Sequence, residues 1–413
     1  MQSTWNDYFA KRVDRLNGSQ IRSFFSLTES SDVISFAGGF PDSRAFPKTA
    51  VTEALTAMIQ EESKASLQYA PTEGNYQLRS YLASKMCQEG VTCEAEDVVV
   101  TDGTQQALDL LFKVMVNPGD PVLVEEPTYI GGVGAITSYG GEPIGIPMDS
   151  HGMKPEDLES IIKELHSRNQ KPKVLYTIPN FHNPTGFTLC RYRREKIYQL
   201  ASKYHIIIIE DNPYGEISFD EAVPSSFKSM DVEGRVAYLG SFSKTFLPGI
   251  RVGWIVAPTP LLEKVGLAKQ TADLCSASLG QRLAYRLSVE GYVDKHVKEL
   301  IAFYREKRDT MLDYMNIHFP TGVGFTRPQG GFFVWVSFPP YYPASSDLLS
   351  QSLERKVAFV HGEGFFSNGK GSHTARFSYS QNSLEEIKSG IKTLGELFSE
   401  IEHRHAKDRA TIR

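Results

Sequence analysis

Apolar residues in this chain fall into short blocks, separated by longer stretches in which they recur every three or four positions. The blocks Val98–Thr101, Val122–Glu125, Val174–Ile178, Ile206–Glu210, Val236–Gly240 and Gly253–Ala257 read as strands, and Gln105–Val116, Lys154–Arg168 and Arg191–Lys203 read as helices. Such alternation predicts an α/β fold with a mostly parallel sheet covered by helices on both faces. Ile206–Ile209 is apolar at every position rather than every second one, which predicts a strand buried on both sides. After about Asp273 long helical runs take over, the clearest being Val293–Asn316, and a smaller α+β domain is expected with a strand at Gly331–Phe338 and a terminal helix near Ser383–His403. The chain therefore divides into an N-terminal arm (1–45), a large domain (46–295) and a small C-terminal domain (296–413). The arm is too short to fold alone and is expected to pack on the small domain or on a second subunit.

With 413 residues there is ample length for more than one buried core, and 41% hydrophobic with 23% charged residues is ordinary globular composition. A formal charge of -5 excludes a general basic field for nucleic acid. Cys87, Cys93, Cys190 and Cys275 form no C-x-x-C pair and no zinc-ligand spacing, so no metal site is expected and free thiols are. The opening MQSTWNDYFAKRVDRLNG lacks an apolar core of signal-peptide length, and the longest aliphatic run, Ile206–Ile209, cannot span a bilayer. A cytoplasmic enzyme with no membrane partner is the expectation.

In open α/β sheets ligands sit beyond the carboxyl ends of the strands, so the polar residues there are the first candidates for a site. Thr101-Asp102-Gly103-Thr104-Gln105-Gln106 leads from a strand into a helix whose free N–H groups suit a phosphate, although such a start also serves as a simple cap. Pro179-Asn180-Phe181-His182-Asn183-Pro184-Thr185-Gly186 is a rigid turn that fixes Asn183 beside a strand end. Glu210-Asp211-Asn212-Pro213-Tyr214 puts a carboxylate at the end of the most buried strand, where an ionised group needs a cationic partner. Ser241-Phe242-Ser243-Lys244 is followed seven residues later by Arg251. One loop thus holds a lysine able to form a Schiff base with hydroxyls and an arginine able to hold a dianion, which are the needs of a phosphate-bearing aldehyde.

Through these motifs the chain resembles a fold-type I pyridoxal-phosphate aminotransferase of the class I/II family. Asn183, Asp211 and Lys244 follow one another at intervals of 28 and 33 residues, and the likeness runs from Ser35-Phe36-Ala37-Gly38-Gly39 through Gln68-Tyr69-Ala70-Pro71-Thr72-Glu73-Gly74 to Arg376-Phe377-Ser378-Tyr379. It is strongest toward the 2-aminoadipate and kynurenine aminotransferase branch. The resemblance implies a large domain with a mostly parallel sheet of the seven-stranded type, a small α+β domain, and a homodimer with active sites at the subunit interface. Lys244 would bind pyridoxal 5′-phosphate and, once displaced by substrate, move the proton between the α-carbon and the cofactor. Asp211 would pair with the ring nitrogen, and Asn183 and Tyr214 with the phenolic oxygen. Ser241, Ser243, Arg251, Gly103, Thr104 and Gln105 would bind the phosphate. Tyr129 would stack on the ring or merely pack. Arg376 would clamp the substrate α-carboxylate through two parallel hydrogen bonds, the alternative being a surface salt bridge. Tyr69 would reach the phosphate of a neighbouring subunit or else pack in the core.

The implied reaction is a ping-pong transamination from an L-amino acid to a 2-oxo acid such as 2-oxoglutarate. Donors of 2-aminoadipate, aromatic or branched aliphatic type all remain open, with the arm and the loop at Gly38 and Gly39 as a movable cover. Arg22 either meets a distal carboxylate or is a solvated charge, while Phe24, Phe25, Phe36 and Phe40 suit a bulky apolar substrate. The same apparatus also fits a C–S β-lyase or a specialised biosynthetic aminotransferase. A regulator carrying a helix-turn-helix would need a longer N-terminal module than the arm provides.

Overall fold

The computed structural model describes residues 5–15, 32–220 and 222–411. Its main sheet runs β2 (Val98–Thr101), β9 (Gly253–Val256), β8 (Val236–Ser241), β7 (Ile207–Asp211), β6 (Val174–Thr177), β3 (Pro121–Glu126), β4 (Glu142–Asp149) and β5 (Gly152–Met153) from edge to edge. The strands β8, β7, β6, β3 and β4 are parallel, whereas β9 runs antiparallel to both its neighbours and β5 is antiparallel to β4. The two-residue β5 makes the sheet eight-stranded, one more than expected.

The isoleucine strand occupies a central place, with Ile208 and Ile209 fully buried, each contributing about 1.5–3 kcal/mol of apolar burial. It starts one residue later than the apolar pattern suggests. Ile206 is buried but stands before the strand, and Asp211 closes the strand instead of following it. Separate apolar clusters cover the sheet: one unites Val99, Ile209 and Leu239 with the helix Gly103–Met115, and another sets Leu175 and Ile208 against helices Pro155–Ser167 and Arg191–Tyr204.

The second sheet is antiparallel, in the order β10 (Gly324–Phe325), β11 (Phe333–Ser337), β14 (Thr374–Ser378) and β13 (Val360–His361). It packs with the long helix Tyr292–His318, whose Val293, Val297, Leu300, Tyr304, Met311 and Met315 form one buried stripe. The arm contributes β1 (Ile34–Ser35), paired in parallel with β12 (Val357–Ala358), and Phe36 then enters the core of this C-terminal part, stacked on Phe377. The terminal helix continues from Leu384 to Thr411, past the expected His403, because the polar residues after Ile401 keep helical geometry once the apolar stripe has ended. No helix among the described residues is long and apolar enough to cross a membrane.

Candidate active site

The chain order makes β3 lead outward to β4, whereas β6 through β9 build in the opposite direction. The carboxyl ends of β3, β6, β7 and β8 thus open around one crevice, where a ligand is expected in such a sheet. A cavity of about 210 Å³ lies there, lined by Thr104 and Tyr129 from one side, Asn183, Asp211, Tyr214 and Lys244 from the strand ends, Gly39 and Phe40 from the arm, and Arg376 with Phe333 from the second sheet.

Asp211 is buried at the end of β7, and Tyr176 on the adjacent β6 donates its hydroxyl to Oδ2 at 2.9 Å. Burial pushes the carboxyl up to about 7, against the opposing influence of Tyr176 and the Lys244 charge. The sequence argument asks for a cationic partner for Asp211; within the protein a phenol is bonded to it and the Lys244 charge acts through space. Among the described residues, Oδ1 of Asp211 has no hydrogen-bond partner. Lys244 Nζ donates to the Gly39 carbonyl at 2.8 Å, and burial, assisted by Arg376 and Arg251, lowers the amine to about 8. Gly39 also lets the Phe333 ring close against this loop, because a Cβ there would stand 2.7 Å from that ring. Burial raises Tyr214 well above the ordinary tyrosine range.

Arg376 sits in β14 opposite Trp335, reaching across to the large sheet. Nη1 donates to Asn183 Oδ1 at 2.8 Å and Nη2 to the Ala37 carbonyl at 2.7 Å, while Nε has no partner among the described residues. The guanidinium lies 4.4 Å from the Phe333 ring centroid and 5.1 Å from that of Phe365. At 8% exposure, and with no carboxylate beside it among the described residues, Arg376 is not a surface salt bridge. Burial lowers it to about 10, still charged at neutral pH. Asn183 likewise does more than cap its turn, since its side-chain oxygen orients this arginine.

A second cation stands beside the cavity, outside its lining but close enough to act on Lys244. Arg251 donates from Nη2 to the Asp102 carbonyl at 3.0 Å and from Nη1 to Ser243 Oγ at 3.5 Å, while Ser241 Oγ accepts the Ser243 N–H at 3.0 Å. These acceptors are uncharged, which leaves the guanidinium charge for an anion. Gly103 opens the helix Gly103–Met115 with φ +76°, and a Cβ there would lie 2.5 Å from Arg251 Nη2. Only glycine therefore lets the helix start and the arginine share this place. The Gln105 side chain turns elsewhere, donating to the Gly131 carbonyl and accepting from the Tyr129 hydroxyl at 3.2 Å, so any phosphate contact from Gln105 falls to its backbone N–H. Tyr129 both packs on the apolar cluster of the main sheet and lines the cavity.

These groups fit pyridoxal 5′-phosphate. The buried, partnerless Oδ1 of Asp211 suits a protonated ring nitrogen, the amine of Lys244 suits an aldehyde, and the glycine-lined cradle at Arg251 suits a phosphate. Two sequence candidates stand apart. Tyr69 is 78% exposed and outside the cavity, which excludes the core-packing alternative, and Arg22 lies outside the described residues, as do Phe24 and Phe25. Sequence reasoning missed Tyr176, Phe333 and Phe365. Only Tyr176 carried a signal: a tyrosine in a strand buried on both faces must find a partner for its hydroxyl.

The pattern of the aminotransferase class I and II family matches residues 31–394. An aromatic-amino-acid aminotransferase of Thermococcus litoralis is 39% identical, the alignment covering 96% of this chain and 95% of the relative. A 2-aminoadipate transaminase of Thermus thermophilus is 38% identical over 95% of this chain and 96% of its own. Among solved structures, a Pyrococcus horikoshii kynurenine aminotransferase in complex with PMP superposes with a TM-score of 0.92 at 39% identity, covering 96% of this chain and 98% of that one. Sequence, fold and the strand-end crevice agree, and the chain belongs to the aminotransferase class I and II family, with pyridoxal phosphate as its cofactor.

Proposed function

We propose that this amino acid aminotransferase takes bulky apolar or aromatic L-amino acids as donors and a 2-oxo acid such as 2-oxoglutarate as acceptor, in two successive half-reactions. The observation that carries this reading is the wall of the cavity beyond Arg376. It is built from Phe40, Ile130, Phe333 and Phe365, and among the described residues lining it Lys244 and Arg376 are the only cations. One of the two is needed for chemistry and the other for the α-carboxylate, so a substrate side chain meets apolar surface. The relative from Thermococcus litoralis, named for aromatic amino acids, supports the same choice.

In this reading Arg376 grips the α-carboxylate, its partnerless Nε–H providing a free prong while Asn183 and Ala37 hold the plane of the guanidinium. Bound pyridoxal phosphate supplies an electron sink for the charge left when the α-proton departs. Lys244 Nζ takes that proton: with its amine lowered to about 8, about a tenth is neutral at pH 7, far more than for an ordinary lysine near 10.4, and able to act as a base. Asp211 keeps an acceptor directed at the ring, Tyr214 and Asn183 stand beside it, and Ser241, Ser243, Arg251 and the N–H groups of Gly103, Thr104 and Gln105 fix the phosphate.

The reading also places the crevice between a large domain (46–295) and a small one (296–413), in a homodimer. Leu67, Tyr69, Tyr76, Leu274 and Leu279 are exposed large apolar residues that a second subunit would cover, bringing Tyr69 toward the partner's site. The four cysteines are free, which supports a reducing compartment such as the cytoplasm.

The test is a panel of amino acids mixed singly with the holoenzyme, scored by loss of the bound cofactor's visible absorbance and by the 2-oxo acid formed. Phenylalanine, tyrosine and leucine should react faster than glutamate or 2-aminoadipate. A preference for 2-aminoadipate would refute the apolar-wall argument, and release of pyruvate and ammonia from cystathionine would replace transamination with elimination.

A further inference from the structure

Tyr176 belongs to none of the motifs that identify the site, yet it makes the hydrogen bond that orients the buried carboxylate. It stands on β6 opposite Ile209 of β7, two residues before Asp211. Its ring is fully buried, with Phe112 at 6.4 Å and edge-on, and it lies over Gly132, where a Cβ would come 2.5 Å from the ring. Among the described residues the side-chain acceptor its hydroxyl reaches is Oδ2 of Asp211, at 2.9 Å. The second oxygen of that carboxylate is the partnerless one.

We propose that Tyr176 is a positioning residue: its hydroxyl pins Oδ2 of Asp211 so that Oδ1 is held ionised and aimed at the cofactor's ring nitrogen. The proposal rests on the reading of Asp211 given above. A carboxylate free to rotate about its last torsion would share its charge between two directions, and a protonated one would present an O–H where an acceptor is needed. Burial and the neighbouring Glu125 both favour the protonated form, whereas Tyr176 and Lys244 oppose it. Glu125 is itself held by the Thr177 hydroxyl and the Ile178 N–H at 2.8 Å each. Lys244 is consumed in binding the cofactor, which leaves the Tyr176 bond as the constant support. Burial and the nearby Asp211 raise the phenol well above its ordinary range, so it remains a donor throughout the working pH.

The test uses Tyr176→Phe, which keeps the ring and removes only the donor, beside Asp211→Asn and the double variant. The readouts are the dissociation constant of pyridoxal phosphate from the protein, the pH midpoint of the holoenzyme's visible absorption, and kcat and KM. Loss of a hydrogen bond to a charged group should weaken cofactor binding about tenfold to a hundredfold and lower kcat by a similar factor, leaving KM for the amino acid unchanged. The absorption midpoint should move up, because a less firmly protonated ring withdraws less charge. Adding Tyr176→Phe to Asp211→Asn should cause no further loss. Wild-type affinity and midpoint in Tyr176→Phe, or a further loss in the double variant, would overturn the role of Tyr176 while leaving that of Asp211 intact. Wild-type behaviour of Asp211→Asn would instead overturn the reading of Asp211 itself.

Discussion

Replacing Arg376 by alanine separates substrate recognition from cofactor chemistry. The guanidinium is buried, held by two uncharged acceptors and flanked by two aromatic rings, and no carboxylate neutralises it among the described residues. Its charge is therefore available to an incoming carboxylate in a site that excludes much of the water. Truncating one partner of a buried, hydrogen-bonded charge pair costs about 2–5 kcal/mol, and 3 kcal/mol at about 1.4 kcal/mol per decade is a loss of roughly 150-fold in kcat/KM. Arg376→Lys should recover part of this, since an ammonium restores charge without the planar fork. The assay is single-turnover decay of cofactor absorbance with phenylalanine and, separately, with phenethylamine, which lacks the α-carboxylate. Alanine at 376 should slow the amino acid and leave the amine nearly as slow as it is with the native enzyme. The truncation also leaves Asn183 Oδ1 and the Ala37 carbonyl without their partner, so thermal unfolding of the variant is measured alongside. Equal losses for both substrates, or unchanged kinetics with the amino acid, would refute the clamp.

Three further outcomes are expected. Capture of pyridoxal phosphate by cofactor-free protein requires the neutral amine of Lys244, so its rate should rise with pH about a midpoint near 8, where an ordinary lysine would give about 10.4; a midpoint near 10 would contradict the effect of burial and the two arginines. Asp211 is raised to about 7, so between the unfolded value and 7 the folded cofactor-free protein binds the extra proton, and this group's contribution to stability falls as pH rises through that window. Cofactor-free Asp211→Asn should therefore be more stable than the native protein at pH 8, by up to about 4 kcal/mol, and lose the advantage near pH 4 in denaturant titrations. Gly103→Ala puts a Cβ 2.5 Å from Arg251 Nη2 at a φ of +76°, which costs about 1–2 kcal/mol of backbone strain and displaces the phosphate cradle; equilibrium dialysis should show cofactor binding weakened about tenfold or more.

The parts of the site that lie at strand ends were legible in the sequence because two simple signals coincide there. A block of isoleucines identifies a strand buried on both faces, and a carboxylate at its end is then too costly to be accidental, which singled out Asp211. The same logic reached Asn183 and the segment from Ser241 to Arg251. The strand Glu142–Asp149 was not legible: its two prolines and a glycine hide the alternation, and it pairs beside the edge of the sheet with most of its residues only partly buried. The length of the last helix was underestimated because helical backbone continues where apolar periodicity, the signal used, has stopped.

What the sequence withheld is the meeting of distant pieces. Asn183 and Arg376 are 193 residues apart, one in the turn beyond β6 and the other in β14 of the second sheet, yet their side chains lie 2.8 Å apart, and the third member of that contact, Ala37, comes from the arm. No local pattern carries such information, because each residue is compatible with its own element whatever it faces. Tyr176 shows where the limit lies: a tyrosine among Val174, Leu175 and Thr177 signals that its hydroxyl needs a partner, but only the register that sets it beside Asp211 decides which partner that is. The motifs therefore locate the chemistry, but its electrostatic settings, an amine near 8 and a carboxyl near 7, depend on neighbours that only folding brings into range.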